Sequence, residues 1–466
     1  MSVTEPITKE NREMENIPHT EKQWYAAIWR WHFYAGIIFA PFIILLAITG
    51  SIYLFKPQIE SMLYKDLYYI PASKQKQISP SEQIDQVKKR YPDAKITRFT
   101  PSFQSNRTSE VGILRSGEMT TVFVNPYNGK IVGDLNDDKR LMNIIKNLHN
   151  GELWGGTFGN RMIELTACWA FILILTGMYL WWPRGRRFGQ GTLFPRLRNG
   201  KRTLWRDLHA VPAFWLSGLI LVLIFTGLPW SGVWGDMINR VATATHTGYP
   251  AFAFSFGPKP ESTLPKKTKD VAPDVPWAAE NLPVPTSSSQ GRPLSLEKVI
   301  QIAESRNIHS GFTIYFPEGP KGVYTISNKP QRPEDQATLH LDQYSGKVLY
   351  DLRFNDYGPL AKAISIGIAL HEGRYFGWIN QLLGLITCVG LIGIAVMGLI
   401  LWWKRRPQGK LGAPPRLHSF HLAKGLAVIV IALGLFFPLV GISLLLVWLL
   451  DRWIIQRIPF IQQWVG

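Results

Sequence analysis

The stretch LHNGELWGGTFGNRMIELTACWAFILILTGMYLWWPR, residues 148–184, decides how this chain folds. It opens on Leu148-His149-Asn150-Gly151, runs through an almost unbroken apolar segment from Met162 to Trp182, and stops at Pro183-Arg184. Such a run is long enough to cross roughly 30 Å of hydrocarbon as one helix. Paired tryptophans followed by cationic charge mark an interface at its end. The same order recurs at Leu370-His371-Glu372-Gly373, ahead of an apolar run that ends in Trp402-Trp403-Lys404-Arg405. The chain therefore repeats, and the repeat is built around a membrane span.

Working outward, five apolar runs alternate with polar blocks: 33–55, 162–182, 211–230, 379–403 and 422–450. Their all-round apolarity argues against a soluble protein, whose helices keep one polar face. The first run begins too late and is too long for a cleaved signal peptide, so it reads as an uncleaved anchor. The net charge is +18, from 51 basic and 33 acidic residues. It gathers at the ends of runs, at Arg184, Arg186, Arg187, Arg196, Arg198, Lys201, Arg202 and Arg206, and again at Lys404, Arg405, Arg406, Lys410 and Arg416. That is the positive-inside pattern rather than a nucleic-acid surface. It places both short loops and the N-terminus in the cytoplasm and the C-terminus outside.

The expected organisation follows. A disordered cytoplasmic tail covers 1–24, a first span 25–56 and an outer α/β module 57–148. The second span, with its Leu-His motif, covers 149–183, a basic loop 184–208 and the third span 209–233. A second outer module covers 234–369, with a proline-rich insertion or extended linker at 258–293. The fourth span covers 370–404, a second basic loop 405–420, a fifth span 421–450 and an outside tail 451–466. Each module shows an amphipathic helix, with Ser81 or Ser295 as N-cap, and a strand-turn-strand around Asn128-Gly129 or Ser345-Gly346. The fold class is thus an α-helical integral membrane bundle of about five transmembrane helices, at least four of them in the cofactor-binding core, with two small extracytoplasmic α/β modules. Cys168 and Cys388 both sit in apolar runs and read as buried small hydrophobes, not as a disulfide or metal framework.

The histidines carry the chemistry. His32 lies 17 residues before Thr49-Gly50, and His209 lies 17 before Thr226-Gly227. Gly36, Ala213 and Gly425 stand four residues after His32, His209 and His421, on the same helix face. A small residue there leaves room for a flat macrocycle, and it serves close helix packing equally well. Histidine is a common axial ligand of haem iron. Two layers of histidine at the two ends of a bundle predict two b-type haems and a path for electrons across the membrane. His149 pairs with His371 at the outer end, and His32 with His209 at the inner end, where His421 competes. Any one of these histidines alone reads as a cap or interfacial residue; five at matched offsets point to ligation. Arg30, Arg161, Arg206 and Arg374 are candidates for haem propionates, since arginine pairs bidentately with carboxylates. Glu164 is the one acid inside a predicted span, either a proton or cation site or a residue reaching the interface. Trp154, Tyr375, Phe376 and Trp378 are weaker candidates for stacking on a substrate.

The chain resembles the PepSY-associated transmembrane proteins of bacterial inner membranes. The resemblance rests on the hairpins at Tyr127-Asn128-Gly129-Lys130 and Tyr344-Ser345-Gly346-Lys347, the two Leu-His motifs, the Thr-Gly pairs at 49–50, 176–177 and 226–227, and the Trp-Trp pairs. It covers about residues 25–450. It implies a role in iron uptake, similar to di-haem ferric-siderophore reductases that deliver electrons to a ferric chelate outside, and it implies PepSY-like character for the two outer modules. One departure is Tyr375-Phe376-Gly377-Trp378-Ile379, which lacks the fuller glycine spacing of Gly155-Gly156-Thr157-Phe158-Gly159. No G-x-G-x-x-G follows a predicted strand, so electrons come from a quinol or a separate cytoplasmic reductase. A competing reading is a non-enzymatic, membrane-anchored module that binds or restrains exported peptidases. A transporter ranks last, because the repeats read as parallel and few charges lie at mid-membrane.

Overall fold

Five helical segments among the described residues are long and apolar enough to cross a membrane: Gln23–Tyr53, Thr157–Trp181, Lys201–Trp230, Trp378–Arg405 and Pro438–Ile455. They belong to a computed structural model that describes residues 19–184, 189–248, 266–288, 291–308, 311–414 and 424–465. The architecture is that of a multi-pass membrane protein. His421, most of residues 1–24 and the first prolines of 258–293 lie outside the described residues.

In chain order, α1 is His19–Tyr53, followed by α2 (Pro80–Arg90), β1 (Lys95–Thr100), β2 (Ser109–Arg115), β3 (Glu118–Val124), β4 (Ile131–Asn136) and α3 (Leu141–His149). Next come the spans α4 (Thr157–Trp181) and α5 (Lys201–Gly227), then α6 (Val233–Ala244). The second half continues with α7 (Leu296–Ser305), β5 (Phe312–Tyr315), β6 (Val323–Asn328), β7 (Ala337–Asp342), β8 (Val348–Arg353), α8 (Pro359–His371) and the span α9 (Trp378–Arg405). It closes with α10 (Lys424–Phe436), α11 (Pro438–Leu450) and α12 (Pro459–Val465). Both Leu-His motifs close a short helix, as their sequences predict. The third span begins at Lys201 rather than 209, so the last eight residues of the expected basic loop are already helix.

The chain divides into two units. The helical unit gathers Met1–Ser51, Leu148–Asp236 and Leu383–Gly466; the other gathers Ile52–Asn147 and Met237–Leu382 and holds the strands.

The two expected modules are not separate. The eight strands among the described residues form one open antiparallel sheet in the order β4-β3-β2-β1-β5-β6-β7-β8. The join is the pairing of β1 with β5, Arg98 opposite Tyr315 and Phe99 opposite Ile314. Phe99 and Ile314 are fully buried, so the seam is part of the core. One cluster containing Val87, Phe99, Val122, Val299, Ile314 and Leu339 runs under both halves. Sharing one core lets each small repeat bury more apolar surface than it could alone, at about 25 cal/mol per Å².

The helices on the sheet keep one expected cap and move the other. Ser295 caps α7 as expected, accepting from the Lys298 amide. Ser79, not Ser81, caps α2, with Glu82 completing a capping box and Pro80 opening the helix. Ser81 instead donates to the Glu297 carboxylate of α7, at 2.8 Å from its amide and 3.0 Å from its hydroxyl. The turns at Gly129 and Gly346 have φ of 72° and 71°, the left-handed conformation that glycine adopts without strain.

The proline-rich insertion is not an extended linker where it is described. Within 266–288, Ala272, Val275, Trp277, Ala279 and Leu282 are buried. Ala272, Val275, Ala279 and Leu282 pack with Tyr315, Tyr350 and Leu352 of the sheet. Apolar residues between the prolines anchor the segment. His340 is equally buried in β7, with Nδ1 2.9 Å from the Thr325 hydroxyl. Burial lowers its pKa to about 3.

The fifth span is not one helix. It breaks at Phe437, because Pro438 has no amide to continue the ladder. A Cβ on Gly434 would stand 3.3 Å from the Gly441 Cα, so α10 and α11 pack back to back through glycine. The chain then returns: the Leu411 amide donates to the Trp464 carbonyl at 2.9 Å. The C-terminal segment therefore lies beside the second basic loop. This corrects the expectation that it leaves from the opposite end.

Candidate functional site

His32 on α1 and His209 on α5 occupy matching places in the two repeats. The structure brings their rings together, with centroids 6.3 Å apart and planes at 79°. Nδ1 of His209 lies 2.8 Å from the carbonyl oxygen of Ile394 on α9. A carbonyl only accepts, so Nδ1 carries the proton and Nε2 of the neutral ring keeps its lone pair. Nδ1 of His32 lies 2.9 Å from the Thr176 hydroxyl on α4. That hydroxyl donates its own proton to the Ile172 carbonyl at 2.7 Å, so it accepts from His32. His32 and His209 thus hold the same tautomer.

Glycine sets how closely each ring lies against the neighbouring span. A Cβ on Gly177 would stand 3.2 Å from Cε1 of His32, and one on Gly398 would stand 3.2 Å from Cε1 of His209. In the first repeat a threonine precedes that glycine. In the second, Met397 stands there, and the Ile394 carbonyl one turn back takes over the hydroxyl's role.

The rule extends to the other end of α1. Nδ1 of His149 lies 2.8 Å from the Thr49 hydroxyl, which donates to the Leu45 carbonyl at 2.8 Å. A Cβ on Gly50 would stand 3.4 Å from Cε1 of His149. Gly151 makes the bend after this histidine possible: at φ 85° it packs on the Gly159 backbone, which a Cβ would strike.

His371 closes α8 in the strand-bearing unit, whereas His149 belongs to the helical unit. The residues after His371 are pinned by charge. Glu372 sits 2.7 Å from Lys329 and 2.7 Å from Arg374. Burial would raise the Glu372 pKa, but the two cations outweigh it and bring it down to about 2. Asn380 donates to the Leu370 carbonyl at 3.0 Å.

The four arginines already have protein partners. Arg374 holds Glu372, and its guanidinium also donates to the Gln331 carbonyl at 3.1 Å. Arg161 stands 3.6 Å from Glu164. Arg30 binds the Pro414 carbonyl and the Tyr34 hydroxyl. Arg206 lies 3.3 Å from Asp207, which is also gripped by Arg196 at 2.8 and 3.0 Å. Glu164 accepts from the Val233 and Trp234 amides, both at 2.8 Å, at the start of α6. It is a helix cap that reaches across from α4. Trp154 rests 5.8 Å from Phe42, while Phe376 and Trp378 are exposed. Both cysteines are free and buried.

The His32–His209 pair could hold a haem iron between its two rings. Two metal–imidazole bonds of zinc-like length, about 2.0–2.1 Å, with the ring radii added, would separate ring centroids by about 6 Å, close to the observed 6.3 Å. Ligating imidazoles characteristically donate their other N–H to a protein acceptor, which fixes the tautomer, and both rings do so. One turn after His32, a Cβ on Gly36 would meet no atom within 4 Å, so that helix face is open to a flat group.

These spans and their histidines coincide with a known family. Residues 29–405 match the PepSY-associated TM region. The chain belongs to that family. The match takes in His32, His149, His209 and His371 and ends at Arg405, before α10. No curated protein matches the chain. In this PepSY-associated protein the contacts that sequence reasoning does not supply are those of Thr49, Thr176, Gly177, Ile394 and Gly398 with the histidines. The signal for the threonines was in the sequence, since each precedes a glycine in the Thr-Gly pairs. What was missing was that each pair faces a histidine of another helix.

Proposed function

We propose that this PepSY-associated protein is a b-type haem electron-transfer protein of the bacterial cytoplasmic membrane, delivering electrons to an extracytoplasmic ferric siderophore or other ferric chelate for iron uptake. The observation that carries this reading is the His32–His209 pair: 6.3 Å between rings, each Nδ1 committed to a neighbouring span. Bound haem would supply one-electron redox chemistry that no side chain offers.

His32 and His209 are the inner ligands in this reading, with His421 as the rival, and His149 and His371 are the ligands of a second haem. Thr176 and the Ile394 carbonyl hold the Nδ1 protons, so each Nε2 presents a lone pair at a fixed angle. The apolar spans around them exclude water. The N-terminus and both basic loops face the cytoplasm, and the strand-bearing unit faces outward, where the chelate arrives. Release follows from reduction, because hard oxygen chelators hold ferrous iron far less tightly. The electron donor is a membrane quinol or a cytoplasmic reductase.

Absorbance spectra of the detergent-purified protein before and after dithionite test the reading. Low-spin b-type bands with about two haems per chain are expected. The open edges at β4 and β8 favour a second reading, a membrane-anchored module that adds a partner's strand to its sheet. A haem-free protein, expressed with ample haem, would sink the first reading and favour the second.

A further inference from the structure

A slot of about 460 Å³ lies where α5 and α9 reach the basic loops. It is lined by Val396, Leu399 and Ile400, by three tryptophans and by Lys404. Its volume is in the range of small-molecule sites, roughly 300–1,000 Å³.

Three features give this slot a preferred occupant. First, the indoles differ. Trp402 donates to the Leu411 carbonyl at 2.8 Å, whereas the Trp205 Nε1 is buried with no partner. A buried donor without an acceptor is costly, so Trp205 calls for one from outside the chain. Second, all three rings carry cations, Arg406 also lying 5.4 Å from the Trp402 ring centroid. The Lys404 Nζ lies 4.7 Å from the Trp205 ring centroid, and the Arg406 guanidinium lies 3.7 Å from that of Trp403. Third, the charge is not neutralised. Among the described residues neither Lys404 nor Arg406 has a carboxylate partner, and Arg202 lies close enough to act on Arg405.

We infer that this slot is a binding site for one anionic phospholipid. An acyl chain lies along Val396, Leu399 and Ile400. The phosphate accepts from the Trp205 indole and pairs with Lys404 and Arg406. Charge decides between amphiphiles here: a quinone offers an acceptor but no charge for the cations, and a zwitterion brings its own cation to the rim. Basic pockets between spans at a cytoplasmic face take anionic headgroups by this chemistry. The site does not depend on what the histidines hold.

The test is native mass spectrometry of the full-length, delipidated protein in detergent, titrated with phosphatidylglycerol or phosphatidylcholine. One phosphatidylglycerol per chain should be retained at least tenfold better than phosphatidylcholine. Lys404→Gln with Arg406→Gln should abolish that preference, and Trp205→Phe should weaken retention several-fold. Leu399→Trp fills the slot and should block retention with the cations intact. Unchanged melting and gel-filtration profiles will show that the variants fold. Equal retention of the two lipids overturns the proposal, as does wild-type retention in all three variants. Loss of haem absorbance from Leu399→Trp with lipid retention unchanged would assign the slot to the cofactor and overturn it too.

Discussion

The Thr176 hydroxyl stands between two acceptors of different kinds, 2.9 Å from Nδ1 of His32 and 2.7 Å from the carbonyl oxygen of Ile172. Its single proton goes to the carbonyl, and this fixes the proton of His32 on Nδ1. A side chain not among the candidate ligands thereby decides which histidine nitrogen is available to a metal.

Thr176→Val should therefore act through His32. It leaves the Nδ1–H without an acceptor, costing about 1–3 kcal/mol. Haem affinity should fall roughly 10–100-fold, the usual effect of losing such a partner. Thr176→Ser should stay near wild type. Haem titration with thermal melting reads both, and a Val variant that binds haem like the parent would refute the assignment.

Glu164→Ala should destabilise the helical unit without touching a ligand. It strips the acceptor from the Val233 and Trp234 amides and leaves Arg161 without its carboxylate. A loss of about 1–3 kcal/mol is expected from the unsatisfied donors. Hydrogen exchange at the start of α6 should rise while the haem bands keep their positions.

Glu372 predicts a pH dependence. Its folded pKa of about 2 lies below the ordinary 4.5. The stabilisation is present above pH 4.5 and is lost as pH falls towards 2. Glu372→Gln should lower the melting temperature at pH 7, and the gap from wild type should close near pH 2–3. A gap that stays constant down to pH 3 would exclude the ion cluster as its source.

Glu280 predicts the opposite slope. Burial raises its pKa to about 7 in spite of Lys269, Lys146 and Lys329. The folded state then binds the proton more tightly than the unfolded chain, and stability declines as pH rises from 4.5 through 7. Glu280→Gln should raise the melting temperature at pH 8 and change it little at pH 5.

The spans and the repeat were legible in the sequence because apolar length and matched motifs are local signals. The Leu-His helices and the Ser345-Gly346 turn were legible for the same reason. What escaped depends on partners distant in sequence. Ser81 reads as a cap until Glu297 is beside it, and the paired modules read as separate until Phe99 meets Ile314. The fate of the fifth span turned on Gly434 and Gly441 facing each other across Pro438. The Trp-Trp pairs read in sequence as interface markers. Only the outer member of each, Trp182 or Trp403, is exposed; Trp181 and Trp402 hold the following loop by bonds to the Thr192 and Leu411 carbonyls.

The seam between β1 and β5 also sets an order of events during synthesis. Strand β1 is complete at Thr100, but its second neighbour begins only at Phe312. For roughly 210 residues of translation and membrane insertion, Lys95–Thr100 has a bare edge able to pair with any extended chain. The first half of the sheet must wait, half-finished, while two further spans are threaded into the bilayer. Its maturation is therefore tied to the pace of insertion rather than to its own folding speed.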